Sequence, residues 1–409
     1  MSSQIASTQE EPGSLHSRQR SASSAFVVSI SGDVTGNEQA LKSLNELYSP
    51  VLKLLKFFGA YYGQTDLKKL GYSPNSPRGK DLCSQMYCGL MISLDFLNFV
   101  MAVSGIFTSG AEFVFLMFTL GNLLILICGI PLLVVLPLTL AKKSRFQKYL
   151  LSILANSQGV NLNSVKKKSR KGFIVLCLLY VETVTFSVIS DQKLNLGLAC
   201  CKPWNGWFGF QVIAQISLFT GSALWLLSMY FLYLTCRILI KCFDELYQRM
   251  SSLTQLSADF PSLKIEHHKL CEVVELADKM LSPLLLGVVS LYIPMLCISF
   301  YNSVVFREDT NLMALVTTLS WCLVAAGILT IALYFGSKVN EKIHSFQRIL
   351  QTLPVSTAEE AKVLLFLLDL QGEPKGLSIG GLLVITKSTS LAIAGVTVSY
   401  FAVLLSLPR

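Results

Sequence analysis

Apolar residues in this chain are concentrated in seven segments separated by polar connections. The segments are residues 87–107, 113–140, 173–190, 210–234, 283–306, 312–335 and 386–407. A helix of about 18 to 28 residues rises far enough to cross the hydrocarbon core of a bilayer. The pattern therefore predicts an all-α membrane protein with seven transmembrane helices.

Basic residues lie almost entirely on one side of these segments. The stretches 42–86, 141–172, 235–282 and 336–387 together carry 28 Lys and Arg residues, whereas the other connections hold only Lys193, Lys202 and Arg307. Positive charge near the ends of membrane helices is retained in the cytoplasm. We therefore predict a multi-pass protein of the cell membrane, with a cytoplasmic N-terminus and an extracellular C-terminus.

The net charge of +9 gives no support to nucleic-acid binding, because the basic residues follow the inner helix ends. The densest cluster runs from Lys166 to Lys171; it either fixes orientation against anionic lipid or binds a phosphoinositide, and the first role is favoured. Residues 1–45 are polar and predicted to be a disordered cytoplasmic tail. Residues 46–86 begin with an apolar stretch bearing spaced lysines and interrupted by Pro50, which predicts an amphipathic segment on the inner membrane surface.

Helical periodicity continues inward beyond three of the segments. Apolar residues recur there every three or four positions, on stripes too narrow for a lipid-facing helix. The stripes are Ile238, Leu239, Phe243, Leu246 and Met250; Leu270, Val273, Val274, Ala277 and Leu281; and Val339, Ile343, Phe346, Ile349 and Leu350. We therefore expect helices 4 to 6 of the membrane domain (87–335) to extend into a cytoplasmic bundle through 235–282, joined by anchor helices at 336–385 before helix 7 at 386–407.

The last segment has more hydroxyl groups than a lipid-facing helix requires. One face of the helix carries small and partly polar residues at spacings of four, three, four and three: Ala392, Val396, Ser399, Val403 and Ser406. Around a symmetry axis, this face would form hydroxyl rings beside an apolar constriction at Val403. The alternative is close helix packing, which also selects small residues, and spacing alone favours it.

Two carboxylates fall within apolar segments, Asp95 in the first and Glu182 in the third. A charge at this depth costs roughly 2.5–3.5 kcal/mol on insertion scales and marks a functional candidate. The two residues either line a polar site or form structural hydrogen bonds with Tyr180, Ser93 or Asn98.

Nothing in the sequence indicates catalysis. His267 and His268 are adjacent on an inner helix, without a partner at metal-ligand spacing, and are expected on a solvated face. Gly-rich phosphate loops and Ser/His/Asp constellations are not evident. The sequence therefore predicts no enzyme, no metal site and no cofactor.

The final residues, SYFAVLLSL, resemble the terminal signature of insect gustatory receptors and their gustatory-receptor-like relatives, which is Thr-Tyr, five apolar residues and Gln-Phe. Ser399 and Tyr400 stand for Thr-Tyr, the apolar run ends at Leu405, and Ser406 and Leu407 replace Gln-Phe. The preceding GGLLVITKS, the start LYSPVLKLLKFFGAYYG and the seven-segment plan are also similar. The loss of Gln-Phe indicates a divergent member.

This resemblance implies a homotetrameric, ligand-gated, non-selective cation channel whose last helix lines the pore, with its apolar gate at Val403. It also implies an outward-facing pocket for a small-molecule ligand among helices 1 to 6. Its candidate lining residues are Asp95, Glu182, Trp225, Tyr292, Tyr301 and Trp321. The alternatives are a seven-helix G-protein-coupled-type chemoreceptor, which the cytoplasmic N-terminus opposes, and a non-conducting membrane scaffold.

Overall fold

The computed structural model describes residues 34–61, 65, 78–108, 146, 149–150, 152–153, 155, 160–194, 208–253, 260–306, 312–352 and 360–406. Predictions for the N-terminal tail before residue 34 and for the second apolar segment at 113–140 lie outside these residues. The side chains of Asp95 and Asn98 are also outside the described part, although their backbone is helical.

The described residues form helices and one short antiparallel hairpin. The elements are α1 (Val34–Phe57), α2 (Arg78–Thr108), α3 (Asn163–Leu194), α4 (Phe208–Ser251), α5 (Phe260–Phe306), α6 (Leu312–His344), α7 (Phe346–Thr352), α8 (Glu360–Gln371), β1 (Ser378–Ile379), β2 (Leu383–Val384) and α9 (Lys387–Ser406). In the hairpin, Ser378 pairs with Val384 and Ile379 with Leu383.

Four helices in the described part of the chain are long and apolar enough to cross a membrane. They are Phe208–Ser251, Phe260–Tyr301, Leu315–Thr352 and Lys387–Ser406. The first and third predicted segments lie within the continuous helices α2 and α3. The chain is thus a largely helical protein with several apolar helices, while the number of seven crossings and the orientation stay predictions.

The three inner stripes form the centre of the core. All fifteen stripe residues are buried, from Ile238 on α4 to Leu350 on α7. Because helices α4 and α5 run for 44 and 47 residues, they extend well past the apolar segments that they contain. Helices α4 to α6 thus continue beyond their apolar segments and pack their stripes together in a shared bundle, called here the inner bundle, whose cytoplasmic location stays a prediction.

Helix α1 differs from its sequence prediction in two ways. It begins at Val34, within the stretch 1–45 predicted to be a disordered tail, and it continues through Pro50. Its apolar side is covered by protein: Tyr48 is fully buried, and its hydroxyl lies 3.1 Å from that of Tyr149 and 3.2 Å from Thr235 Oγ1. The apolar residues that suggested a membrane surface therefore belong to the core.

The expectation that both adjacent histidines are solvated is wrong for His267. Its side chain is 1% exposed and is surrounded by Phe243, Phe346 and Phe366, with ring centroids 4.7–5.8 Å away. Its Nε2 lies 3.2 Å from the carbonyl oxygen of Ile343. Burial lowers the pKa of His267 to about 4, so the imidazole is neutral at physiological pH.

Candidate functional site: the last helix, its hairpin and the polar residues of the membrane helices

Helix α9 is apolar, yet none of its residues is buried in the single chain. It packs against α5 and α6 along one stripe. On this stripe Ile393 contacts the core, the Thr397 carbonyl accepts a 3.6 Å bond from Cys297 Sγ, and the Phe401 ring meets Phe300 edge to face at 4.5 Å. Apart from an ion pair of its first residue, Lys387, the rest of the helix circumference is mostly exposed in the described part of the chain.

Successive residues of a helix are rotated by about 100°, so the uncovered circumference of α9 divides into two faces. The serine face is the one predicted from spacing: Ala392, Val396, Ser399, Val403 and Ser406. The leucine face carries Leu391, Val398, Ala402 and Leu405. All nine residues are exposed, including Val403 at 59% and Val398 at 67%.

The serine hydroxyls of the serine face bond to their own helix. Ser399 Oγ donates to the Gly395 carbonyl at 3.0 Å, and Ser406 Oγ donates to the Val403 carbonyl at 2.7 Å. With the proton directed to the backbone, each hydroxyl oxygen still has lone pairs to offer a partner. In the signature motif, Tyr400 and Leu405 are exposed as well, and Leu407 lies outside the described residues.

The hydroxyls at the start of the last segment cap the helix. Thr386 Oγ1 accepts a 3.1 Å bond from the Thr389 amide, the arrangement of an N-cap. Ser390 Oγ donates to the Thr386 carbonyl, and Thr389 Oγ1 donates to that of Val384. These bonds fix the direction in which α9 leaves the hairpin.

The hairpin itself is fastened to α5 by one carboxylate. Asp278 accepts bonds from the amide of Ser378 at 2.6 Å and from its hydroxyl at 2.8–2.9 Å. Gly380 has a φ of 63°, which disfavours any other residue there, and its amide donates to the Ser282 carbonyl at 3.0 Å. A Cβ at this position would lie 3.0 Å from Leu286, a tight contact. Burial raises the pKa of Asp278, while the bonds from Ser378 act against that shift.

Helix α6 holds the other side of the connection. Asn340 Nδ2 donates to the Lys375 carbonyl at 2.8 Å, and His344 Nδ1 bonds to that of Leu370. Glu341 pairs with Lys338 at 3.0 Å and with Lys387, the first residue of α9, at 3.2 Å. Neither this attachment nor the Asp278 clamp was predicted from the sequence; the Gly380–Gly381 pair signals a turn but not its partner.

The candidate pocket residues fall at different levels of the bundle. Glu182 accepts a 2.7 Å bond from Ser320, so it links α3 to α6. Of the partners proposed for the carboxylates, Tyr180 donates instead to the Phe219 carbonyl and Ser93 to that of Gly89. Because Tyr180 bonds to Phe219, Glu182, two residues after Tyr180, lies near the level of Phe219. Trp225 is six residues beyond Phe219, which is about 9 Å farther along α4.

Trp225 and Tyr292 meet edge to face with ring centroids 5.5 Å apart. Trp321 follows Ser320 in the chain and is half-buried, and Tyr301 is buried on α5. The structure therefore brings Trp225 to Tyr292, and Glu182 to the residue beside Trp321. Ser320, which the sequence reasoning missed, is the direct partner of the intramembrane carboxylate.

Solved structures with a similar fold include the insect olfactory receptor OR5 from Machilis hrabei. That structure has a TM-score of 0.69 and 12% sequence identity, and the alignment covers 90% of this chain and all of that one. The same receptor in complex with eugenol aligns over the same shares, with 12% identity and a TM-score of 0.64. A comparison with curated protein sequences finds no match.

The family model described as 7tm Chemosensory receptor matches residues 48–405, which includes α2 through almost all of α9. It thus spans the inner bundle, the hairpin with its clamp and the signature residues Ser399 to Leu405. The chain belongs to the 7tm chemosensory receptor family.

Proposed function

We propose that this protein is a ligand-gated, non-selective cation channel of the gustatory-receptor-like type. A small molecule binds among the membrane helices and opens an apolar gate at Val403 of α9. Four copies surround one axis, with the serine face of α9 toward the pore. The N-terminus is cytoplasmic and the C-terminus extracellular, as the distribution of basic residues predicts.

The observation that carries this proposal is the uncovered serine face. A helix that packs one stripe against its own subunit and leaves two further faces exposed can contact a neighbouring subunit and line a pore at the same time. The serine oxygens, whose protons go to the helix backbone, present lone pairs suited to a cation. Val403 lies between the two serines and supplies the dewetting constriction.

We propose the ligand site between α3 and α6, where Glu182 accepts a hydrogen bond from Ser320. Trp225, Tyr292, Tyr301 and Trp321 supply aromatic walls. Asp95 remains a candidate for the polar part of the same ligand site. The related fold of a receptor in complex with eugenol supports a small organic molecule as the kind of ligand.

The proposal is tested by whole-cell recording after heterologous expression, with a panel of small organic ligands. Val403→Lys should abolish cation current because a fixed charge then occupies the constriction, and Val403→Ala should raise current without ligand because a smaller ring wets more readily. Val398→Lys and Val398→Ala are the matched controls, since Val398 is equally exposed but lies on the leucine face.

Equal effects at Val398 and Val403 would remove the serine face from the pore. A ligand response that requires a G protein, with an N-terminal tag accessible from outside, would favour the G-protein-coupled-type receptor. A monomer in detergent that carries no current would favour the scaffold.

A further inference from the structure

Arg237 is an unusual residue within α4, three positions beyond the inner end of the fourth predicted apolar segment. Its guanidinium carbon lies 5.4 Å from the ring centroid of Tyr233 and 4.9 Å from that of Phe335. Its Nε is buried without a hydrogen-bond partner, and among the described residues no carboxylate pairs with it. A buried donor on a permanent cation is costly when it stays unpaired, so this position is suited to an anion from outside the chain.

Helix α3 brings two further cations to the same side. The hydroxyl of Tyr233 donates to the Lys168 carbonyl at 3.4 Å, and a Cβ on Gly172 would lie 3.0 Å from the Tyr233 ring. At about 100° per residue, Lys168 and Lys171 lie roughly 40° and 100° around α3 from Gly172, both in the same direction, whereas Lys167 and Arg170 lie about 140° and 160° away.

The other cations of this turn are placed differently. Lys167 and Arg170 point to the opposite side of α3 by the same rotation. The side chains of all four cations, Lys167, Lys168, Arg170 and Lys171, are exposed. Lys166 is already paired with Glu46. The unpaired basic residues nearest to Tyr233 by this rotation are therefore Lys168 and then Lys171, in addition to Arg237 on α4 itself.

Arg237 lies at the expected depth of lipid headgroups. Beside it, aromatic rings from three helices contact one another in series: Phe173, Tyr230, Tyr233, Phe335 and Tyr334. Tyrosines concentrate at the boundary between hydrocarbon and headgroups. These residues also mark the inner ends of the third, fourth and sixth predicted segments, on the side that carries the basic connections.

We propose that Arg237, Lys168 and Lys171 form a binding site for the phosphomonoester headgroup of an anionic lipid in the inner leaflet. The planar guanidinium offers paired donors that match two phosphate oxygens, and the aromatic rings hold its plane. Three cations exceed the single net charge of phosphatidylserine and match the higher charge of a phosphorylated inositol headgroup. Basic crevices between membrane helices on the cytoplasmic side bind such headgroups.

The test uses the purified full-length protein in nanodiscs of phosphatidylcholine with a small fraction of phosphatidylinositol bisphosphate, and native mass spectrometry to count bound lipid. We expect the wild type to retain the phosphoinositide over phosphatidylcholine and phosphatidylserine. Arg237→Gln should lower retention about fivefold and the Lys168→Gln/Lys171→Gln double variant more than tenfold, since each basic residue contributes about 1 kcal/mol near an anionic surface.

The matched control is Lys167→Gln/Arg170→Gln, which removes the same charge from the opposite side of α3 and should change retention less than twofold. Equal losses in the two double variants would overturn the site in favour of diffuse attraction. Arg237→Lys separates the bidentate contact from charge and should fall between wild type and Arg237→Gln. Thermal unfolding of every variant excludes misfolding as the cause of lipid loss.

A second arm adds soluble inositol trisphosphate to nanodiscs that contain only phosphatidylcholine. If the ligand is a membrane lipid, the soluble headgroup should bind only weakly, because the acyl chains and the aromatic belt no longer contribute. Soluble binding as tight as that of the lipid would overturn the assignment to the membrane. The readout is lipid retention, so a channel without current would leave this test intact.

Discussion

The inner bundle and helix α9 are both rich in apolar side chains, but these side chains are buried in the bundle and exposed or half-buried on α9. In the bundle, α4, α5, α6 and α7 bury their stripes against one another, and Phe243, Phe346 and Val339 have no exposed surface. In α9 no residue is buried. A residue in the bundle therefore contributes to the stability of the single chain, whereas a residue on the exposed faces of α9 contributes little to it.

The largest effect on stability is expected in the bundle at Phe346. Its ring lies 4.7 Å from His267, 5.7 Å from Tyr247 and 6.4 Å from Phe243. Phe346→Ala should lower the free energy of unfolding by about 3–5 kcal/mol, because it leaves a cavity in a packed core. Denaturant titration in detergent measures the change, with exposed Ile265→Ala as the control. Equal losses at both positions would contradict the assignment of the core.

The next effect is a dependence on pH that the bundle imposes through His267. Because the folded-state pKa of about 4 lies below the usual value of 6.5, the unfolded chain takes up a proton first as the pH falls. Stability should therefore decrease between pH 6.5 and 4, by up to about 3 kcal/mol. Unfolding of the wild type and of His267→Phe across this range isolates the term. Parallel pH profiles for the two proteins would show that His267 contributes nothing.

Between bundle and α9, the clamp at Asp278 should have an intermediate effect. Asp278→Ala leaves the buried Ser378 amide and hydroxyl without their acceptor, at a cost of about 1–3 kcal/mol. Hydrogen exchange of residues 377–385 should accelerate. Asp278→Asn keeps one carbonyl acceptor and should retain part of the protection. Unchanged exchange in Asp278→Ala would mean that the hairpin is held by its other contacts.

The smallest effect is expected at the first residue of α9. Lys387 is exposed and pairs with Glu341, so Lys387→Gln should change the free energy of unfolding by less than about 1 kcal/mol, and less still in high salt. Lys338→Gln removes the other partner of the same carboxylate and serves as the control. A loss of several kcal/mol at Lys387 would show that α9 depends on its own subunit more than its exposure indicates.

The sequence predicted those parts of the structure that depend on local periodicity. The stripe from Leu270 to Leu281 could be read from spacing because a helix returns to the same face every three or four residues. His267 obeys the same spacing, four residues after Leu263 and three before Leu270, and all three are buried. The spacing thus indicated a buried position for His267, but its polar ring led to the prediction of a solvated one.

Pairings between distant residues could not be predicted in this way. Asp278 and Ser378 are 100 positions apart, and Glu182 and Ser320 are 138 apart. Periodicity along one helix has no information on which residue of another helix lies opposite. For α9, spacing identified the serine face but could not tell which of the remaining stripes packs against α5.

Because α9 is attached at its first turn, a small tilt about that turn moves the far end of the helix by a larger distance. The hairpin and the Thr386 cap hold the inner end, while Val403 is sixteen residues farther along. At 1.5 Å per residue this arm is about 24 Å long, so a tilt of about 5° moves Val403 by about 2 Å, roughly the size of a methyl group. In the proposed channel, such a small displacement at the first turn would be enough to change the width of the constriction at Val403.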